Sequence, residues 1–259
     1  LRVVEARDFG SDLLLKDMQE RVIVVLRMAE ALSPKYHVVV ANPPYMGGKG
    51  MNGTLGDYAK ANYPDSKSDL FAMFMERTLR MSLQHGMMAM INMQSWMFLS
   101  SFEKLRGKLL STGTLLSMAH LGERGFDTIG GAVVSTTAFV VENSHHATFK
   151  GNYVRLVDSA NEAEKASQMQ DAIQNPDCGW FYRASAEDFD KMPGSPIAYW
   201  ISNNLLDAFE RAEKLSDTAD VKHGLSTGKN EAVVRLWSEV SRGEFGPDIQ
   251  SRDAALESG

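Results

Sequence analysis

The tetrapeptide Asn42-Pro43-Pro44-Tyr45 places an amide, two imides and a phenol directly after the apolar run Val38 to Ala41. An exocyclic amine on a nucleobase is a poor nucleophile because its lone pair is delocalised into the ring. Two fixed acceptors, an Asn side-chain carbonyl and a neighbouring backbone carbonyl, would localise that lone pair by binding both N–H groups. Proline supplies the rigidity, since it fixes its own φ and restricts the residue before it. The segment therefore predicts activation of an aromatic amine, and the alternative is an ordinary turn that leaves a strand.

Neighbouring residues are suited to hold the rest of such a substrate. The ring of Tyr45 could stack on a base taken out of its helix, as enzymes that modify bases require. Gly47 and Gly48 would let the backbone approach the substrate closely. Lys49 would meet a phosphate, although a solvated lysine is equally expected in a loop.

The elements that must position this segment predict an open α/β sheet. Apolar periodicity indicates helices, and short β-branched runs indicate buried strands. The predicted order is helix 11–32, strand 37–41, loop 43–66, helix 67–85, strand 87–93, helix 101–112, strand 114–121 and a strand within 132–143. The last strand is expected to pair antiparallel with the one before it. Ligands of such sheets bind at the carboxyl ends of the strands, where the tetrapeptide lies.

The sequence becomes more polar after about residue 145. A polar helix is expected within 161–180, then a loop-rich stretch over 180–200 and a last helix over 202–216. We therefore divide the chain into a sheet region, residues 1–145, and a helical and loop extension, residues 146–259.

Composition excludes several classes of protein. The net charge of -6 argues against a stand-alone DNA clamp, although not against an enzyme that touches nucleic acid with one face. The single Cys178 excludes an intramolecular disulfide and suits a cytoplasmic protein. No apolar run reaches the ~18 residues of a membrane span, so no membrane partner is expected. His145-His146 has no companion ligands at metal spacing and is interpreted as a surface pair, which leaves no metal site.

At these residues the chain resembles amino-methyltransferases that use S-adenosylmethionine, whose strand-end motif is Asn/Asp-Pro-Pro-Tyr. The version with Asn is typical of adenine-specific DNA methyltransferases, and the closer resemblance is to large restriction-type enzymes and the PglX family of the BREX phage-defence system. The segments that carry it are NPPYMGGKGMN (42–52), KSDLFAMFMERTL (67–79), MINMQSWMF (90–98), LGERGFDTIGGAVVSTTAFV (121–140), MPGSPIAYW (192–200) and GLSTGKN (224–230).

The resemblance implies roles for individual residues. Asn42 and the carbonyl of Pro43 would accept from the adenine amino group, and Tyr45 would stack on the flipped base. Phe126 would cover the other face of the base, and its alternative is a core residue of a hairpin. The implied partners are double-stranded DNA and other phage-defence proteins, and residues 146–259 would form a linker and the start of a target-recognition region.

One part of the family pattern is missing. The family holds S-adenosylmethionine with a Gly-rich loop upstream of the motif, and no such loop precedes Asn42. Asp8 is a weak candidate for a contact with the adenosine moiety, against the alternative of a surface turn. We therefore expect a partial Rossmann-like methyltransferase sheet that is inactive by itself. Two other functions stay open: an amino-methyltransferase acting on a protein glutamine or on RNA, and a non-catalytic module that docks DNA or a partner protein.

Overall fold

The computed structural model describes residues 1–126, 134–213, 217 and 219, and the strands of this described part form one mixed sheet. The strands are β1 (Tyr36–Ala41), β2 (Ser82–Met93), β3 (Thr114–Gly122), β4 (Thr136–Glu142), β5 (Gly151–Arg155) and β6 (Phe181–Ala184). Their order across the sheet is β1-β2-β4-β3-β5-β6. β1 runs parallel to β2, whereas β4 is antiparallel to both β2 and β3. The α/β fold class and the predicted antiparallel pairing are confirmed.

The α-helices of the described part precede β1, lie between β1 and β2, between β2 and β3 and between β5 and β6, and follow β6. They are α1 (Arg2–Glu5), α2 (Leu13–Leu32), α3 (Gly53–Asn62), α4 (Leu70–Met81), α5 (Glu103–Thr112), α6 (Glu162–Gln174), α7 (Ala186–Asp190) and α8 (Asn203–Arg211). Side-chain caps begin several of them: Asp12 accepts from two amides of α2, and Asn161 accepts from Glu164 in α6. None of these helices is long and apolar enough to cross a membrane.

The main core lies between one face of the sheet and the helices α4 and α5. Met88 and Met90 of β2 are buried there against Phe71 and Met75 of α4, and α5 contributes three leucines. The intervening residues of β2 are partly exposed. This alternation is what a strand shows when only one of its faces is covered.

The expectation of fully buried first and second strands is wrong for this structure. β1 ends the described sheet, and Val40 keeps 74% of its surface exposed. α2 buries none of its residues, so the segment before β1 does not cover this edge. The consecutive valines of β1 are typical of a strand that is buried on both faces. The described residues cover only one face of this strand.

The predicted loop 43–66 contains a helix that the sequence analysis missed. Asn52 caps α3 through a 2.9 Å bond from the Leu55 amide, and Ala59 and Tyr63 pack against Met73 of α4. Gly53 and Gly56 lower the helix propensity of this segment. Burial against α4 outweighs that cost, which local sequence does not reveal.

The chain forms one compact unit from Leu1 to Arg211, and a second unit follows from Ala212. The sheet continues past residue 145, because β5 and β6 join it beyond β3. The division between residues 1–145 and 146–259, drawn from the change in sequence composition, stays a prediction. The segment 224–230 and most of the predicted target-recognition region lie outside the described residues.

Candidate active site

Three strands bring their carboxyl ends to the same edge of the sheet. Asn42 follows β1, Gln94 follows β2, and Gly122 ends β3. β1 and β2 are parallel, and β3 runs in the same direction because β2 and β3 are both antiparallel to β4. The loops after these strands therefore meet at one edge, where open α/β sheets place their ligands.

A cavity of about 540 Å³ opens at this edge. It is lined by Asn42, Pro43, Pro44, Tyr45, Arg124, Gly125, Phe126, Val134 and Thr136. The four residues of the motif thus share one cavity with Phe126, although about 80 residues separate them in the sequence. Pro43 is buried beneath the cavity, whereas Asn42 and Pro44 are exposed.

The two aromatic side chains of this cavity are half-exposed. Tyr45 and Phe126 each keep 37% of their surface accessible. The Tyr45 ring meets the buried Phe71 ring edge to face at 6.0 Å, which fixes one side of it against the core. Burial raises the pKa of the Tyr45 phenol, so it stays neutral at physiological pH. The exposure of Phe126 favours the contact with the base over the alternative of a core residue in the hairpin, and the contact stays a prediction.

The loop after the motif is held by Asp69, the cap of α4. Its Oδ1 accepts from the amides of Met46 (3.0 Å) and Phe71 (3.2 Å). The backbone closes the same contact, since Gly48 donates to the carbonyl of Ser68 at 3.1 Å and Leu70 donates to that of Met46 at 3.0 Å. Asp69 therefore ties the motif loop to a helix of the core. The helix predicted over 67–85 begins only at Leu70, and neither the cap Asp69 nor its contact with Met46 was predicted.

Neither the backbone conformation nor the packing around Gly47 and Gly48 requires glycine at these positions. Neither has a positive φ, and nothing lies within 4 Å of the place where a Cβ would stand at Gly48. Close approach to a substrate stays a prediction for both. Lys49 lies exposed in the short turn Gly48–Gly50, beyond the cavity lining, and Lys60 nearby pairs with Asp57.

Two further residues line the cavity and were missed. Arg124 adopts a left-handed φ of 53°, which is uncommon for a residue other than glycine. The Oγ1 of Thr136 is buried and has no hydrogen-bond partner among the described residues. A Cβ at Gly125 would lie 2.8 Å from that hydroxyl, so the loop passes Thr136 as closely as a glycine allows. The local sequence did not indicate either residue. A hydroxyl without a hydrogen-bond partner, like that of Thr136, can be recognised only when the surrounding segments are known.

A buried polar network stands behind the cavity edge. The Nε2 of His120 lies 2.5 Å from the Oε1 of Gln94, and its Nδ1 lies 2.9 Å from the Tyr199 hydroxyl. Burial, with the nearby charges of Arg155 and Lys165, lowers the pKa of His120 to about 4. The imidazole is therefore neutral: Nε2–H donates to Gln94, and Nδ1 accepts from Tyr199. This network joins the ends of β2 and β3 to the segment around residue 199.

The end of β3 is fixed a second time by a buried lysine. Lys165 of α6 donates from Nζ to the carbonyls of Leu121 (2.8 Å) and Leu156 (2.6 Å). Burial lowers the pKa of this ammonium. Leu121 precedes the loop that bears Arg124 and Phe126, so α6 helps to set where that loop leaves the sheet.

A second and larger cavity, of about 770 Å³, lies on the uncovered face of the sheet. Small and apolar side chains form most of its floor, and it also reaches Asn42. No carboxylate lines it among the described residues. Asp8 is not brought to either cavity: it lies in an exposed turn, where its Oδ1 accepts from the Gly10 amide at 2.9 Å.

The expectation that the histidine pair lacks companion ligands is wrong. His146 Nε2 lies 3.9 Å from Glu142 Oε1, and His85 Nδ1 lies 3.0 Å from the same oxygen. Glu142 ends β4 only four residues before His146, whereas His85 comes from β2, 61 residues earlier in the sequence.

Comparison with known proteins places the chain among adenine methyltransferases. Residues 14–126 match the family described as Eco57I restriction-modification methylase. The chain is 46% identical over 235 residues to the adenine-specific methyltransferase BrxX of Escherichia coli O9:H4 (strain HS), covering 90% of this chain and 19% of the relative. It is 44% identical over 217 residues to the adenine-specific methyltransferase PglX of Lacticaseibacillus casei (strain Zhang), covering 83% and 18%. The chain thus spans about a fifth of the length of these relatives.

Solved structures agree on the fold. A type I restriction-modification complex matches with a TM-score of 0.51 at 15% identity, over 73% of this chain and 42% of that one. A nuclease-deletion mutant of the Type ISP restriction-modification enzyme LlaGI, solved with a DNA substrate mimic, matches with a TM-score of 0.51 at 13% identity, over 78% and 18%. The sheet is therefore of the kind that restriction-modification enzymes contain.

Proposed function

We propose that this chain, which belongs to the adenine-specific methyltransferases related to BrxX and PglX, forms the amine-binding side of an active site that methylates the exocyclic amino group of adenine in DNA. The observation that carries the proposal is the single cavity shared by Asn42, Tyr45 and Phe126. It combines a hydrogen-bond acceptor with two aromatic rings, which is what an extruded adenine needs.

The proposed chemistry rests on the first two residues of the motif. Asn42 Oδ1 and the carbonyl of Pro43 accept the two N–H groups of the adenine amine, so that the nitrogen becomes pyramidal and its lone pair points away from both acceptors. The two prolines hold the carbonyl of Pro43 in place, because they fix φ before and after it, and Pro43 also restricts the backbone of Asn42. Fixed acceptors need no reorganisation as charge develops on the nitrogen, and this is where preorganised sites gain rate.

The aromatic rings determine which group enters. Tyr45 stacks on one face of the base and Phe126 covers the other, and each such stack contributes about 1–3 kcal/mol. This binding energy offsets the few kcal/mol that base extrusion costs. Phe71 holds Tyr45 from behind, so that the ring needs little ordering when the base arrives.

S-adenosylmethionine, the cofactor expected of this family, supplies the methyl group when bound. The described residues fit one wall of its site, since the larger cavity adjoins Asn42 and offers an apolar floor. They do not provide an acid for the ribose hydroxyls or a Gly-rich loop for the methionine end. The rest of that site has to come from beyond the described residues.

Arg124 and Lys49 are the cations that we assign to the DNA backbone. Arg124 lines the cavity, and no carboxylate pairs with it among the described residues. Because the whole chain carries a net charge of -6, phosphate contacts must be local rather than spread over a basic face. A guanidinium in the lining of the cavity would hold the phosphate beside the extruded nucleotide through charge-assisted hydrogen bonds.

The setting that we propose is the bacterial cytoplasm, in restriction-modification or phage defence, with other phage-defence proteins as partners. The relatives named BrxX and PglX support this setting. The competing function is a module that docks DNA or a partner without catalysis. The exposed β1 edge and the absence of a carboxylate in the larger cavity, within the described part, are the observations that favour it.

Asn42→Ala in the complete protein decides between the two. Loss of one transition-state acceptor should lower the rate of methyl transfer to adenine by about 10²–10³, with DNA affinity largely retained. Asn62→Ala is the control, since Asn62 is exposed nearby but does not line the cavity. A labelled methyl group followed into DNA is the readout. Wild-type transfer by Asn42→Ala would refute the role of Asn42, and no transfer by the wild type would favour the docking module.

A further inference from the structure

We propose that His85, Glu142 and His146 form a zinc site at the end of the sheet opposite the motif. The three side chains come from the start of β2, the end of β4 and the loop after β4. One ligand atom from each lies within 4.8 Å of the other two. The site is independent of the proposed methylation.

The distances match the size of a zinc ion. Zn–N and Zn–O bonds of ~2.1 Å at tetrahedral angles place ligand atoms about 3.4 Å apart. The separations of Glu142 Oε1 from His85 Nδ1 (3.0 Å) and from His146 Nε2 (3.9 Å) lie on either side of that value. Rotations of exposed imidazoles suffice to equalise them. Two imidazoles and a carboxylate are a donor set that zinc prefers, with water as the fourth ligand.

The backbone holds these ligands before any ion is bound. His85 donates from its amide to the carbonyl of Asn143 at 3.2 Å, and Asn143 donates back to the carbonyl of Gly86 at 2.8 Å. The amide of His146 donates to the Thr114 hydroxyl at 2.8 Å. The segments that carry the ligands are therefore tied to one another and to β3.

The backbone of His85 is itself unusual. Its φ is 61°, a left-handed conformation that is strained for a residue with a Cβ. The next residue, Gly86, has no room for a Cβ, which would stand 2.9 Å from the carbonyl of Leu83. This tight turn directs the His85 imidazole towards Glu142 and stacks it against the ring of His146 at 6.5 Å. A hydrogen bond to a surface carboxylate alone does not require such a turn.

The charge and exposure of the three ligands suit reversible binding of zinc. Glu142 is the most enclosed ligand, with 19% of its side chain exposed, and the two imidazoles are at least half exposed. One carboxylate leaves the zinc complex with a net charge of +1. Such a site would link the beginning of β2 to the end of β4 and stabilise that end of the sheet.

Zinc titration of the metal-stripped intact protein tests this assignment. Calorimetry should show one zinc equivalent that His146→Asn and Glu142→Gln each weaken at least about 10-fold, the lower end of what even outer-shell partners contribute. His145→Asn is the matched control, because His145 is exposed and adjacent but outside the cluster. Mg²⁺ should give no such binding, since it prefers oxygen ligands.

A second readout separates ligand loss from misfolding. Zinc should raise the melting temperature of the wild type and of His145→Asn, and leave that of His146→Asn unchanged. The melting temperatures without zinc should agree among all three, because His146 is half exposed. Equal zinc binding by the wild type and both cluster variants would overturn the site, as would the absence of any zinc equivalent in the wild type.

Discussion

Acidification should destabilise this fold through His120. The imidazole is 4% exposed, and its pKa is lowered to about 4 from the 6.5 of an unfolded chain. A base with a lowered pKa contributes stability that is complete above pH 6.5 and is lost as the pH falls towards 4. Each pH unit in that window costs about 1.4 kcal/mol. Between pH 6.5 and 4.5 the loss should therefore amount to roughly 2–3 kcal/mol, a large share of the 5–15 kcal/mol typical of a domain.

Urea unfolding at half-unit pH steps measures this loss directly. His120→Gln removes the titrating group but keeps a side chain that can hydrogen-bond to Gln94 or Tyr199. It should be less stable than the wild type at pH 7 and show a much flatter dependence between pH 6.5 and 4.5. Identical slopes for the two proteins would refute the argument. Glu76, whose pKa is lowered by its hydrogen bonds with Lys108 and Ser66 despite the opposing effect of burial, adds its own loss only below about 4.5.

Three predictions concern the site. Tyr45→Ala should weaken the binding of a duplex with a fluorescent adenine analogue at the target by about 5- to 150-fold, the equivalent of 1–3 kcal/mol of stacking. Tyr45→Phe should weaken this binding only slightly. Equal losses in the two variants would assign the effect to the hydroxyl and not to stacking. Arg124→Gln should reduce the slope of log affinity against log salt by about 1, and an unchanged slope, like that of a Lys104→Gln control on α5, would remove Arg124 from the phosphate contact. The 259-residue chain alone should bind S-adenosylmethionine very weakly and transfer no methyl groups; low-micromolar binding in calorimetry would mean that its pocket is complete.

The elements around the motif could be predicted because their signals are local. The apolar run before Asn42 predicts β1, and the apolar residues within 67–85 predict a helix that the structure confines to Leu70–Met81. The clustering of the motif with Phe126 was predicted only through the family resemblance. No sequence period could show that a Cβ at Gly125 would lie 2.8 Å from the Thr136 hydroxyl, or that Asp69 accepts from the amide of Met46. These contacts depend on packing between segments that are distant in sequence.

The errors have the same physical origin. The valines of β1 indicate a strand covered on both faces, but coverage depends on elements elsewhere in the chain. α3 forms despite two glycines because α4 offers Ala59 and Tyr63 a surface. The companions of His146 lie on two strands that are neighbours only in the sheet. The local sequence determines which secondary structure and which degree of burial a segment favours. Packing against other segments determines whether the structure has them.

The antiparallel pairing of β3 and β4 means that the segment between Gly122 and Thr136, which lines one side of the cavity, connects two neighbouring strands. Because β3 and β4 form a hairpin, the chain leaves the sheet after Gly122 and returns at Thr136 on the same edge and on the neighbouring strand. Residues inserted between them change neither the strand order nor the register of the sheet. Closing a loop of twice the length costs only about 0.6 kcal/mol. An insertion on the Phe126 side should therefore cost the fold little, whereas an insertion near Met46 would break the hydrogen bond to Asp69 that ties the motif loop to the core.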